Sequence, residues 1–183
     1  DRILPSITKK NFVVTIGRFS SEKKHELMIN TFKKLWDKIK GWEFHLIGQF
    51  IDNSNYDKKY YQSIREMAKG FPIFFHENMR HDDLLKFIGS CKIYWHARGF
   101  GESNPAAFEN FGISTVEAMA AGCVPVVINL GAQPEIVAHG KSGFCWNSTD
   151  ELLDYTLRII RDGALLKKMG ESAVNGLKSI PER

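Results

Sequence analysis

The sequence predicts an α/β domain built on one doubly wound parallel sheet with helices on both faces. Two observations predict it. Short apolar runs rich in β-branched and aromatic residues alternate with stretches of helical periodicity, and glycine-bearing turns join them. That alternation describes βαβ units, which cover a parallel sheet on both sides. A third observation, the absence of any internal repeat, low-complexity tract or Pro/Ser-rich linker, makes residues 1–183 a single domain.

The elements follow in order. N-F-V-V-T-I-G (11–17) is a β-rich run closed by glycine, and helix 25–39 follows with Met28, Phe32, Leu35 and Ile39 on one face. E-F-H-L-I-G (43–48) is the second strand, and 56–70 is a helix stopped by Gly70. P-I-F-F (72–75) is the third strand. A helix over 81–90 begins near Asp82 and Asp83, whose charges suit a helix start. K-I-Y-W-H-A (92–97) is the fourth strand, followed by a long glycine-rich loop and the helix I-S-T-V-E-A-M-A-A-G. V-P-V-V-I-N (124–129), a short helix over 134–140 and S-G-F-C-W (142–146) supply strand, helix and strand. Helices over 150–163 and 164–176 complete the order. In such sheets ligands bind at the carboxyl ends of the strands. The informative loops are therefore G-R-F-S-S-E-K-K after the first strand and A-R-G-F-G-E-S-N-P-A-A-F-E-N-F-G after the fourth.

Composition narrows the chemistry. Apolar residues make up 43% and charged residues 25% of the 183, and the net charge is only +4. That balance admits an anionic ligand and argues against a dedicated nucleic-acid binder. Cys91, Cys123 and Cys145 are odd in number and widely spaced, so buried free thiols in a reducing compartment are expected, and with them a cytoplasmic location. No apolar stretch approaches the roughly 20 residues a spanning helix needs, and no signal-peptide pattern opens the chain. The first residue is not methionine and the last helical pattern runs close to the end, so a piece of a longer protein is expected.

Within the second loop, Glu109 precedes Gly112, Glu117, Gly122 and Pro125. One reading is local structure: Ser114-x-x-Glu117 has the spacing of a capping box, with Gly122 as the helix stop. The other is a ligand site. A helix opening at Gly112 directs its unpaired first-turn amides, with the positive end of its dipole, at a phosphate. Glycine there permits close approach of the backbone. Glu109 and Glu117 on either side would repel an anion unless they address hydroxyl groups, as on sugar and ribose. Arg18 and Lys23, with Lys24 beside it, supply the cations a diphosphate needs.

These residues resemble the carboxy-terminal, donor-binding domain of retaining glycosyltransferases of family four, group 1, which have the two-domain GT-B architecture. The resemblance spans the chain and rests on four motifs in order. E-N-F-G-I-S-T-V-E-A-M-A-A-G-C-V-P-V (109–126) carries the paired glutamates; I-G-R-F-S-S-E-K carries the basic loop; G-A-Q-P-E-I-V (131–137) and G-K-S-G-F follow, with Ala132 where a second glycine is usual.

The resemblance implies a Rossmann-like six-stranded half of a GT-B fold and a nucleotide-diphosphate sugar of the UDP or GDP type as substrate. It implies that Glu109 contacts the donor sugar, Glu117 the ribose, and Arg18 and Lys23 the diphosphate. Backbone amides of Phe111, Gly112 and Ile113 would complete the sugar and phosphate contacts, and Met79 would lie against the base. An amino-terminal acceptor domain would be missing from this chain, so the fragment would transfer no sugar alone. No cofactor is implied. Carboxylates and histidines show no metal spacing, which leaves Arg18, Lys23 and the helix start to stabilise the departing diphosphate. The six histidines (25, 45, 76, 81, 96 and 139) are scattered and read as surface or core residues.

Two other classes fit the sequence less well. Lys33, Lys34 and Lys38, opposite the apolar stripe of helix 25–39, would let a non-catalytic module, or the full-length enzyme, lie peripherally on an anionic membrane. A nucleotide-sugar isomerase or synthase would share the architecture. Three simpler motifs fail on context: H-G-K-S (139–142) lacks the upstream glycine of a phosphate-binding loop, R-G-F-G-E-S lacks the third glycine of a dinucleotide fingerprint, and no G-x-S-x-G elbow occurs.

Overall fold

The structure, a computed structural model, describes residues 8–50 and 55–177. Residues 1–7, 51–54 and 178–183, and with them the expectations attached to the two chain ends, lie outside that description. Six strands form one sheet: β1 (Phe12–Ile16), β2 (Glu43–Gly48), β3 (Ile73–Glu77), β4 (Ile93–His96), β5 (Val124–Ile128) and β6 (Phe144–Trp146). Their spatial order is β3-β2-β1-β4-β5-β6 and every pairing is parallel. The helices are α1 (His25–Leu35), α2 (Asn55–Ala68), α3 (His81–Gly89), α4 (Ile113–Ala120), α5 (Gln133–Ile136), α6 (Thr149–Arg161) and α7 (Gly163–Leu177).

The period-2 geometry of the strands divides the interior in two. Val13, Phe44, Leu46, Ile93, Trp95, Val126 and Trp146 point to one face, where Met28, Phe32 and Leu35 of α1 and Leu152 and Ile159 of α6 cover them. Val14, Ile47, Tyr94, Val127 and Cys145 point to the other, beneath α3, α4 and α7. Trp95, wholly buried, donates its indole N–H to Thr156 Oγ1 at 3.0 Å, so the one polar atom of that ring is satisfied inside the core. All three cysteines are free and buried.

Two element boundaries differ from the sequence expectation for local reasons. Helix 25–39 is α-helical only to Leu35 and tightens into a 3-10 turn over Trp36–Lys38, a common way to end a helix. The helix expected over 134–140 is a single turn, Gln133–Ile136. Val137 leaves it in extended conformation to bury its side chain, and residues 138–143 fold back as a tight turn in which Ser142 Oγ accepts from Ala138 N. The sixth strand therefore starts at Phe144, not at Ser142.

The basic face of α1 is partly occupied within the fold. Lys33 Nζ donates to the Met67 carbonyl at 3.1 Å, at the carboxyl end of α2, where a cation is favoured, and lies over the Phe71 ring. Lys34 and Lys38 remain exposed. Among the described residues no helix is long and apolar enough to cross a membrane.

Candidate functional site

The sheet reverses its direction of growth between β1 and β4, which are hydrogen-bonded neighbours with Val13 opposite Ile93. Loops leaving the carboxyl ends of those two strands diverge to opposite sides and open a crevice. Gly17 and Arg18 follow β1; Ala97 and Arg98 follow β4.

The loop after β1 is short and tightly wound. Ser21–Lys23 form a 3-10 turn, and Lys24, in the left-handed region at φ 57, joins it to α1. This turn folds Lys23 back over the strand end, so that a Cβ at Gly17 would lie only 3.1 Å from Lys23 Cε. Lys23 Nζ then reaches across the crevice to Glu109 Oε2 at 3.2 Å. Arg18 stays more open, its guanidinium paired with Glu22 at 2.9 Å.

The loop after β4 delivers Glu109. Its carboxylate is largely covered, and three groups surround Oε2: Lys23, His96 Nε2 at 3.6 Å and Arg98 Nη1 at 3.6 Å. His96 and then Lys23 hold the Glu109 carboxyl far below the usual carboxylate range, against the opposing effect of burial. His96 is itself buried; at 3.6 Å its Nε2 falls short of a normal hydrogen bond to Glu109, and desolvation pushes its pKa down against the pull of that carboxylate. The backbone of Glu109 is fixed from behind by the third motif. Ala132 N donates to the Glu109 carbonyl at 2.8 Å, and Gly131, at φ 61, lies so close that a Cβ would meet that oxygen at 2.4 Å. Ala132 has ordinary helical angles, φ −72 and ψ −12, so no glycine is needed there.

Gly112 is the N-cap of α4, in the left-handed region at φ 64, and no side chain caps the helix. The capping-box reading of Ser114 and Glu117 is therefore corrected. Ser114 lies inside the first turn and its hydroxyl is shared with Tyr94 at 2.9 Å, because the cap position falls two residues earlier, at Gly112, where the left-handed backbone favours glycine and a Cβ would meet Ile136 Cδ1 at 2.4 Å. The first turn of α4 is left without a side-chain acceptor. Its flanking side chains, Phe111 and Ile113, are 77% and 66% exposed. Behind Gly112, Gln133 is wholly buried, accepts from Thr115 Oγ1 at 2.9 Å, and leaves its Nε2 without a partner.

Glu117 sits one turn further along α4, half-buried, its carboxyl pKa raised by desolvation and opposed by nearby His81. A cleft of about 390 Å³ adjoins the crevice, lined by Arg18, Gly48, Gln49, Met79, His81 and Leu84 among others. Of the expected residues, Lys23 and Glu109 are in contact, Arg18 and Met79 line one cleft, Gly112 opens α4 three residues after Glu109, and Glu117 lies one turn into that helix. Two further residues face Glu109: His96, which its sequence context marks only as core or surface, and Arg98, for which the sequence carries no signal beyond its place at the carboxyl end of β4.

Comparison with known proteins fits this arrangement. The profile of the family described as Glycosyl transferases group 1 matches residues 1–175. The chain belongs to that family. This glycosyltransferase group 1 domain is 27% identical over 165 residues to a GDP-Man:Man(3)GlcNAc(2)-PP-Dol alpha-1,2-mannosyltransferase of Dictyostelium discoideum, covering 84% of the chain and 31% of the relative. It is 30% identical over 163 residues to the protein of that name from Xenopus tropicalis, covering 81% and 31%. The domain thus spans about a third of the length of these relatives. Among solved structures, the carboxy-terminal domain of a glycosyl transferase group 1 family protein from Francisella tularensis superposes with TM-score 0.78 at 19% identity, covering 97% of this chain and 95% of that one. An Anabaena protein crystallised with UDP-glucose superposes at TM-score 0.74 and 21% identity, covering 91% and 43%. The six-stranded parallel sheet is thus the Rossmann-like half of a GT-B fold.

Proposed function

We propose that this domain binds the nucleotide-diphosphate sugar of a retaining glycosyltransferase that moves a hexosyl group to an acceptor. The observation that carries the reading is the contact of Lys23 with Glu109 between the loops at the strand-order reversal, in the same loop that ends at the uncapped start of α4. In this reading the diphosphate lies against the first-turn amides of α4, with Arg18 and Lys23 as its cations. Phe111, Gly112 and Ile113 contribute backbone N–H groups. Glu109 accepts from hydroxyls of the sugar, Glu117 from those of the ribose, and the base occupies the cleft beside Met79.

The chemistry follows from charge. Cleavage of the bond between the anomeric carbon and the diphosphate oxygen leaves its electron pair on the diphosphate, whose growing negative charge is met by fixed cations and amides. Arg18, Lys23 and the helix start perform that stabilisation without a metal ion. Relatives named for GDP-mannose and a structural neighbour holding UDP-glucose support a donor of the GDP or UDP type. The acceptor is bound by an amino-terminal domain supplied by a longer protein, and the isolated domain binds donor but transfers nothing. A cytoplasmic or cytoplasmic-face location accords with three buried free thiols.

Calorimetric titration of the domain with UDP, GDP and ADP, and with their sugars, tests the reading. Binding of a nucleotide diphosphate that weakens at least about tenfold in Lys23→Ala supports it, that being the effect of losing one charge-assisted contact. Absence of binding to all of them, or indifference to Lys23→Ala, overturns it.

A further inference from the structure

The cation nearest the Glu109 carboxylate is Lys23, and the proposed function assigns that same lysine to the diphosphate. An arriving anion therefore draws away the charge that balances a largely covered carboxylate. Leaving such a carboxylate without compensation is costly. His96 is buried, and desolvation disfavours its charged form. Arg98 is the remaining group at the carboxylate, and its geometry differs from that of Lys23 in one respect. Its Nε donates to the Ala107 carbonyl at 3.1 Å, in the 3-10 turn Pro105–Ala107 that ends two residues before Glu109. Its Nη1 is 3.6 Å from Glu109 Oε2 and its Nη2 is 4.0 Å from Glu22 Oε2. The guanidinium is thus moored to its own loop by one nitrogen and spread between two carboxylates by the others, and it is mostly covered. The same loop is held from the opposite side by Lys24 Nζ on Glu102 Oε1 at 2.5 Å.

We infer that Arg98 is the positioning residue of Glu109: moored to the Ala107 carbonyl, it holds the carboxylate in place when Lys23 turns to the diphosphate of a bound nucleotide. The inference rests on the donor-binding reading for its second half only. A planar, permanently charged fork with a fixed Nε contact suits this role better than a mobile ammonium does. Arg98 acts through Glu109 on recognition of the sugar, and the nucleotide itself is left to Lys23, Arg18 and α4. The groups facing Glu109 are Lys23 from the β1–α1 loop, His96 from β4 and Arg98 from the loop that carries the carboxylate itself.

Two measurements decide it. The first needs no ligand: a ¹³C NMR titration of the Glu109 side-chain carboxyl, assigned with Glu109→Gln, in the parent chain, Arg98→Gln and Arg98→Lys. Arg98→Gln is expected to raise the Glu109 midpoint, with partial restoration in Arg98→Lys, as for loss of a neighbouring cation. An unmoved midpoint overturns the inference. The second is calorimetry with UDP, UDP-glucose, GDP and GDP-mannose. Arg98→Gln is expected to keep UDP and GDP affinity within about threefold while the extra affinity contributed by the sugar falls about tenfold, as in Glu109→Gln, with no further fall in the double variant. Loss of UDP and GDP binding as large as in Lys23→Ala overturns the assignment and makes Arg98 a diphosphate ligand. Failure of the parent chain to bind any nucleotide overturns the donor-binding reading and the second half of the inference with it, while the carboxyl titration still decides the first half.

Discussion

Lys23 and Glu109, 86 positions apart in the chain, meet at 3.2 Å over the gap between β1 and β4. The contact joins opposite charges contributed by two different βα loops. It also assigns the two glutamates of the E-x7-E pattern to different surroundings. Glu109 is pressed towards its ionised form by His96 and Lys23, whereas Glu117 is drawn towards its neutral form by burial.

That contrast predicts different losses on substitution. Glu117→Ala is expected to weaken UDP, GDP and their sugars alike, by about tenfold, through loss of the ribose contacts. Glu109→Ala is expected to leave UDP and GDP nearly unchanged and to erase discrimination among donor sugars. Calorimetry on the two variants checks both, and the reverse pattern would exchange the proposed roles.

Acid sensitivity should trace partly to His25. It is 1% exposed, 3.2 Å from the Tyr60 hydroxyl, and its pKa is pushed down to about 4 from 6.5 by burial, with Lys23 adding to the effect. The unfolded chain takes up the proton as pH falls below 6.5, whereas the folded chain resists until about 4. Stability is therefore full above 6.5 and declines as pH drops through that window, by roughly 3 kcal/mol from this residue. His45, with a pKa pushed down to about 3, adds in the same direction. Urea unfolding at pH 7 and pH 4.5 should show the decline, and His25→Gln should make it shallower.

Gly131 and Gly140 separate backbone strain from contact. Both have positive φ, 61 and 75, but a Cβ at Gly140 meets open space while one at Gly131 meets the Glu109 carbonyl. Gly140→Ala should cost about 1 kcal/mol from left-handed strain alone. Gly131→Ala should cost at least about twice that, a fall in Tm of about 5 °C. Only Gly131→Ala should also weaken nucleotide-sugar binding, because only it displaces Glu109.

The thiols should be inert in the folded chain. Burial raises the pKa of all three, to about 11 for Cys123 and Cys145, and the thiolate is the reactive form. Ellman's reagent is expected to report three thiols in denaturant and almost none within minutes under native conditions. Rapid native labelling would contradict the packing of Cys91 and Cys123 beneath α3 and α4.

The sheet was legible because alternation of strand and helix is written in the hydrophobic period, and parallel pairing follows from the crossovers. Lys23, Glu109 and Gly112 were legible because glycine and charge concentrate in the two βα loops. Boundaries such as the early end of α5 depended on where Val137 could be buried, which is a tertiary matter. The capping-box spacing at Ser114 and Glu117 misled because an N-cap is defined by backbone angle, and the left-handed backbone fell at Gly112. Arg98 and His96 escaped notice for another reason. Arginine and histidine beside a strand are common on any surface, and only the return of the long loop after β4 brings Glu109 back against them.

That pairing has a thermodynamic consequence. Because the cation and the carboxylate are brought together solely by adjacent strands distant in the chain, no locally structured fragment contains both. A ligand held by them recognises the native state and ignores the unfolded ensemble, so its affinity adds in full to global stability as RT ln(1 + [L]/Kd). Melting temperature measured against nucleotide concentration is thus a direct readout of occupancy for this domain.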